Sequence, residues 1–269
     1  MTVLKTDGLG HVGLRRAKRL AGRSFYLPTE APHFQVEVNG LWYVFCAIHK
    51  NASSSIRKLV ETGSARERRA DESIFRFLFL NHLVRSHREI ERARYVMVFV
   101  RHPLDRVASC FQNKFIQQKG CRTVFRDCSQ VTGTNPEQAT FEQFVRDYLR
   151  PCLREGGAEK QVASRHNRHI YTQAQQLLPV DYDVVARVDQ FDRVMREIGL
   201  GHLLSPPANT NSDAAPMPGA FRMSAAALYL HYRETGETPD KASLLTPELE
   251  QAINHLYRAD LRAFGHMFE

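Results

Sequence analysis

The sequence predicts an α/β fold with a central, mainly parallel sheet flanked by helices, and three observations carry that expectation. Residues 42–48 and 95–100 are apolar on both faces, the pattern of strands covered by helices on either side. Each passes through a short polar turn into a helical pattern, at 53–61 and from Pro103 to about residue 118. A third strand, 183–188, leads into a third helix, 190–198. The chain has 269 residues, 43% of them apolar and 25% charged, enough to bury a packed core in one domain. That domain is read as residues 33–269, behind a basic, partly mobile arm at 1–32.

Taken in order, the arm carries Gly8, Gly10 and Gly13 and then the cluster Arg15, Arg16, Lys18, Arg19 and Arg23. It is a candidate for contact with a membrane surface or nucleic acid, and an exposed leader packed on the domain is the plainer reading. Residues 34–38 and 41–48 flank Asn39-Gly40, the signature of a tight β-hairpin. Pro103 suits the first turn of a helix, where its missing N–H costs nothing. Residues 118–140 hold Gly120, Gly133 and Pro136 among polar residues and are expected to form a long surface loop or lid. Residues 140–148 read as helix and 206–219 as loop. Thr246-Pro247-Glu248 opens the last helix, with a hydroxyl to cap free amides, a proline in the first turn and a carboxylate at the positive end.

Lys and Arg outnumber Asp and Glu by 37 to 29, a formal charge of +8 that favours anionic partners. Charge alone does not choose among nucleic acid, anionic lipid, acidic polysaccharide and a phosphorylated nucleotide. The five cysteines, Cys46, Cys110, Cys121, Cys128 and Cys152, are odd in number and form no CxxC pair. That fits reduced thiols and a cytoplasmic location better than a disulfide framework. No run approaches the roughly 20 apolar residues that span a bilayer, so the chain is expected to be soluble.

Two segments carry chemistry. Lys50, Asn51, Ala52, Ser53, Ser54 and Ser55 lie between a buried strand and a helix, where free amides and the helix dipole favour an anion and small residues allow close approach. Serines that merely cap the helix are the alternative. The order of residues does not match GxxxxGK[ST], which disfavours a nucleoside-triphosphatase or nucleotide kinase. The second segment sets Arg101 at a strand end entering a helix, where a guanidinium can grip a phosphate with two parallel hydrogen bonds. Ser109 lies two turns along that helix on the same side, whereas Arg106 is off that line and reads as structural, in a salt bridge.

These residues resemble the sulfotransferases, especially the carbohydrate sulfotransferases of the chondroitin and dermatan type. Lys50 to Ser55 is similar to their 5′-phosphosulfate loop. Phe99-Val100-Arg101-His102-Pro103 through Arg106, Ser109 and Asn113-Lys114-Phe115 is similar to their 3′-phosphate motif. Weaker similarity appears in residues 182–185, in Asn209-Thr210-Asn211 and in the C-terminal tail. The chain departs from the family at His49, Ala52 and His102, where proline, glycine and an acidic residue are common. The resemblance implies a P-loop-NTPase-like three-layer fold and transfer of a sulfuryl group from 3′-phosphoadenosine 5′-phosphosulfate (PAPS) to an acceptor hydroxyl, leaving adenosine 3′,5′-bisphosphate (PAP). It also implies that Lys50 stabilises the leaving phosphate and that no metal is required. The acceptor is expected to be a glycan, glycolipid or other small molecule rather than nucleic acid, lying under loops 118–140 and 205–220. The base implied is a histidine between the two motifs, His82 ahead of His87; His87 is otherwise a candidate acceptor contact, or a plain surface residue. His169 and Gln173 belong to a segment similar to one near the family's acceptor pocket. A metal held by His166 and His169 lacks a third ligand. A non-enzymatic basic module for nucleic acid or acidic glycan is the alternative of another class; it predicts salt-dependent polyanion binding with no preference for a 3′-phosphorylated nucleotide.

Overall fold

The computed structural model describes residues 25–26, 30–153, 167–205 and 214–269. The described residues within Met1–Arg101 and Gln175–Ala208 form one compact unit, and those within His102–Ala174 and Asn209–Glu269 a second. Most of the expected basic arm, with Asn209-Thr210-Asn211 and His166, lies outside the described residues.

The first unit is built on a four-stranded sheet of order β1 (His33–Val38), β2 (Leu41–Cys46), β3 (Tyr95–Val100) and β4 (Val184–Arg187). β1 runs antiparallel to β2, and β2, β3 and β4 are parallel, which is the expected α/β arrangement. The hairpin turns at Asn39 (φ 52°) and Gly40 (φ 76°), the two positive dihedrals that a two-residue turn matched to strand twist requires. On one face Phe34, Val36, Tyr43 and Phe45 bury against Ile56, Leu59 and Val60 of α1 (Ser53–Thr62) and Phe77 and Leu78 of α2 (Ile74–Asn81). On the other, Gln35 donates to Glu89 at 2.7 Å and accepts from Arg92 at 2.9 Å, tying down α3 (His87–Glu91). The β1 edge is covered by residues 82–84, through a Phe34–Leu83 bridge and a Val84 N–H to His33 carbonyl bond of 2.9 Å.

The second unit is largely helical. Its α4 (Pro103–Phe111) continues as a π turn, Gln112–Ile116, and its core is an aromatic cluster in which Phe111 and Phe115 stack at 5.1 Å and Phe115 meets Phe144 edge to face at 5.0 Å. The expected loop at 118–140 is corrected here: Arg122–Thr132 is a helix, α5, followed by a 3₁₀ turn, Pro136–Gln138. Val124 and Cys128, one turn apart, are each 1% exposed and anchor α5 in the core, and Asp127 is buried beside them, accepting from the Tyr148 hydroxyl. Gly133 (φ 72°) is the left-handed cap that ends the helix. Thr246 caps the helix Pro247–Leu256 as expected, its hydroxyl accepting from Leu249 N–H at 3.3 Å. Of the expected loop at 206–219, the described part includes Ala214–Ala215, which pairs with Thr238–Pro239.

Candidate active site

Beyond the end of β2 the chain makes an unusual turn. Lys50 (φ 70°) and Ala52 (φ 54°) both adopt the left-handed conformation that side chains disfavour by about 1 kcal/mol each. Ala52 is the N-cap of α1 and supplies no side-chain acceptor, so the serines stand in the first helical turn and do not cap it. The amides of Ser53, Ser54 and Ser55 accordingly meet no acceptor among the described residues; the first satisfied amide is Ile56, which donates to the Ala52 carbonyl at 2.9 Å. Successive N–H groups in such a turn, at the positive end of a ten-residue helix and beside an ammonium group, fit a phosphate or sulfate.

Asn51, between the two left-handed residues, is completely buried and donates from Nδ2 to the Phe99 carbonyl of β3 at 2.9 Å. Its side chain is therefore a staple between two strand ends. Cys46 of β2 pairs with Val98 of β3, so Lys50 and Arg101 emerge from the same carboxyl edge of adjacent parallel strands. That edge is where helices and loops of an α/β sheet leave room for a ligand.

A sequence model of the sulfotransferase family matches residues 43–267. The chain belongs to the sulfotransferase family. The reaction class is sulfuryl transfer, and the match takes in both the Lys50 turn and Arg101. No curated protein and no solved structure matches the chain.

In this sulfotransferase the histidines expected between the motifs are placed differently. His82 is the C-cap of α2, with Nδ1 2.9 Å from the Gln35 carbonyl and Nε2 3.0 Å from the Ser64 hydroxyl, and burial lowers its pKa. Ser64 follows the C-terminal end of α1, whereas the Lys50 turn leads into its N-terminal end, about 15 Å away along a helix of ten residues. The structure thus does not bring His82 to the turn. His87 opens α3, and the preceding strand-like segment runs past β1 toward His33, the partner of Cys46. The chain therefore enters α3 at the carboxyl edge of β2, and the His87 ring makes an edge contact with Phe25 at 5.4 Å.

In the second unit, Gln173 is completely buried and donates to Asp260 at 3.2 Å, so its side chain is an interior contact and not an acceptor ligand. His169 is half-buried, its Nδ1 3.2 Å from the Asn167 side-chain oxygen. Arg106, 1% exposed, donates to the carbonyls of Tyr171 at 2.7 Å and Arg168 at 3.3 Å, and its charge opposes the upward shift that burial imposes on Asp260. It is structural, as expected, but holds main-chain carbonyls. Lys114 closes the turn after α4 by donating to Lys119 O at 2.6 Å. Ser109 is half-buried on α4. His102 replaces the family's acidic residue as the N-cap of α4, Nδ1 accepting from Leu104 N–H at 3.2 Å, and burial lowers its pKa in keeping with that acceptor role.

One residue near the turn escaped the sequence reading. Arg57 donates to Ser54 Oγ at 3.0 Å and lies over the Phe75 ring at 4.6 Å. The three-residue spacing from Ser54, which puts both on one helical face, was the available signal.

Proposed function

We propose that this sulfotransferase moves a sulfuryl group from PAPS to the hydroxyl of a carbohydrate, glycolipid or other small molecule. The observation that carries the reading is the left-handed Lys50–Ala52 turn with its three amides lacking acceptors, stapled by Asn51 to the strand that ends at Arg101. When bound, PAPS supplies an activated sulfuryl group whose departure leaves a bisphosphate. The Lys50 ammonium and the amides of Ser53, Ser54 and Ser55 hold the phosphosulfate oxygens and neutralise charge building on the leaving phosphate. Because the turn is already folded around the site, no reorganisation accompanies that charge. Arg101 takes the 3′-phosphate through its planar fork. His87 accepts the acceptor's proton: it stands at the carboxyl edge of β2, and its ring nitrogens make no hydrogen bond among the described residues. None of the five cysteines, all among the described residues, is joined in a disulfide, which favours a reducing, cytoplasmic setting.

The test is calorimetric titration of the full chain, without magnesium, with PAP and in parallel with ADP and ATP. A clear preference for PAP is expected, and Arg101→Ala should weaken it by about 2–4 kcal/mol, the scale for losing a charge-assisted phosphate grip. An equal response to all three nucleotides, or unchanged affinity in the variant, overturns the reading.

A further inference from the structure

The outward face of α2 is apolar where a surface helix ordinarily turns polar residues to water. Phe75 is 50% exposed, Phe79 38% and Leu80 60%, so three of the five large hydrophobic side chains exposed among the described residues stand on this one helix. The inward face is already satisfied by Phe77 and Leu78, both completely buried. The exposed trio is therefore not a failed core.

Four guanidinium groups rim the patch. Arg57 lies over the Phe75 ring at 4.6 Å, Arg76 is exposed on the helix itself, Arg85 donates to the Phe79 carbonyl at 2.8 Å, and Arg66 donates to the Asn81 side chain at 2.8 Å. Glu61 pairs with Lys58 and Arg68, and Asp71 with Arg69, but no ion pair among the described residues reaches these four arginines. An apolar surface ringed by uncompensated cations is complementary to a bilayer carrying anionic headgroups: phenylalanine and leucine enter the acyl boundary while arginines reach phosphates above it.

We propose that α2 docks the protein on the surface of an anionic lipid bilayer. The charge of the rim argues against the other occupants. The N-terminal segment carries Lys5, Arg15, Arg16, Lys18, Arg19 and Arg23 against Asp7 alone, so it is repelled by the rim. A second copy meeting this face by two-fold symmetry sets the same four cations against themselves. Lipid binding is read without the transfer reaction, so its failure and that of the proposed function are distinguishable.

Co-sedimentation of the full chain with vesicles tests it, using phosphatidylcholine alone and phosphatidylcholine with about one part in three phosphatidylserine. Binding is expected only to the anionic vesicles and should fall as salt is raised. Phe75→Ser with Leu80→Ser should weaken it by at least about tenfold, while the fold survives with only a modestly lower melting temperature, because about half of each side chain already faces water. The basic N-terminal segment is present in both proteins, so equal binding of wild type and variant assigns the contact elsewhere and overturns the proposal. It is equally overturned if the wild type stays in the supernatant with both vesicles, or sediments as a dimer that the double variant dissociates without either protein binding lipid.

Discussion

At the scale of single residues, the two histidines between the motifs are separated by what their rings touch. His82 is engaged at both ring nitrogens within its own unit, whereas His87 is held by an aromatic edge contact at the start of a short helix. His87→Ala is expected to slow sulfuryl transfer by about 100-fold while leaving PAP affinity unchanged, the pattern of a base that acts on the acceptor. His82→Ala is expected instead to lower unfolding stability by about 1–2 kcal/mol, through loss of two hydrogen bonds at a partly buried ring, with turnover per folded molecule retained. Steady-state rates and urea titrations on both variants decide the assignment; a selective loss of turnover in His82→Ala returns the role to that residue.

At the scale of elements, α1 and α5 show opposite relations between sequence and structure. The turn before α1 was legible because a buried strand, a lysine and a run of small residues lie together in the chain. Its strained form was not, since Lys50 and Ala52 are not residues that favour positive φ. The second element, α5, was hidden because Gly120, Gly133 and Pro136 read as loop punctuation, yet Gly133 is the left-handed cap of a helix held by Val124 and Cys128. A Cβ at Gly133 meets nothing within 4 Å, so Gly133→Ala isolates the cost of the dihedral. It should destabilise the protein by about 1 kcal/mol in denaturant titration, and a neutral result would remove the cap from the account of α5.

At the scale of the whole molecule, acid should destabilise the fold through a histidine outside both motifs. His33 is completely buried, Nδ1 bonded to the Ala31 carbonyl at 3.0 Å and Nε2 to the Tyr182 hydroxyl at 2.7 Å, and burial lowers its pKa from 6.5 to about 4. Below about pH 6.5 the unfolded chain takes up a proton that the native state refuses, so stability is full above that pH and falls as pH drops toward 4. Between about pH 7 and about pH 5 the loss from this group should be about 2 kcal/mol, and His33→Gln should flatten the profile of unfolding free energy against pH. An equally steep profile in the variant would mean that other groups carry the acid sensitivity. By itself the sequence determined the strands of the four-stranded sheet, the Asn39-Gly40 hairpin and the two strand-end segments, because apolar runs and turn residues act on their immediate neighbours. Only the tertiary structure decided which polar residues are committed to the interior. Asn51 meets Phe99, His82 meets Gln35 and Gln173 meets Asp260, and a hydrogen bond between segments so far apart in the chain leaves no local pattern to read.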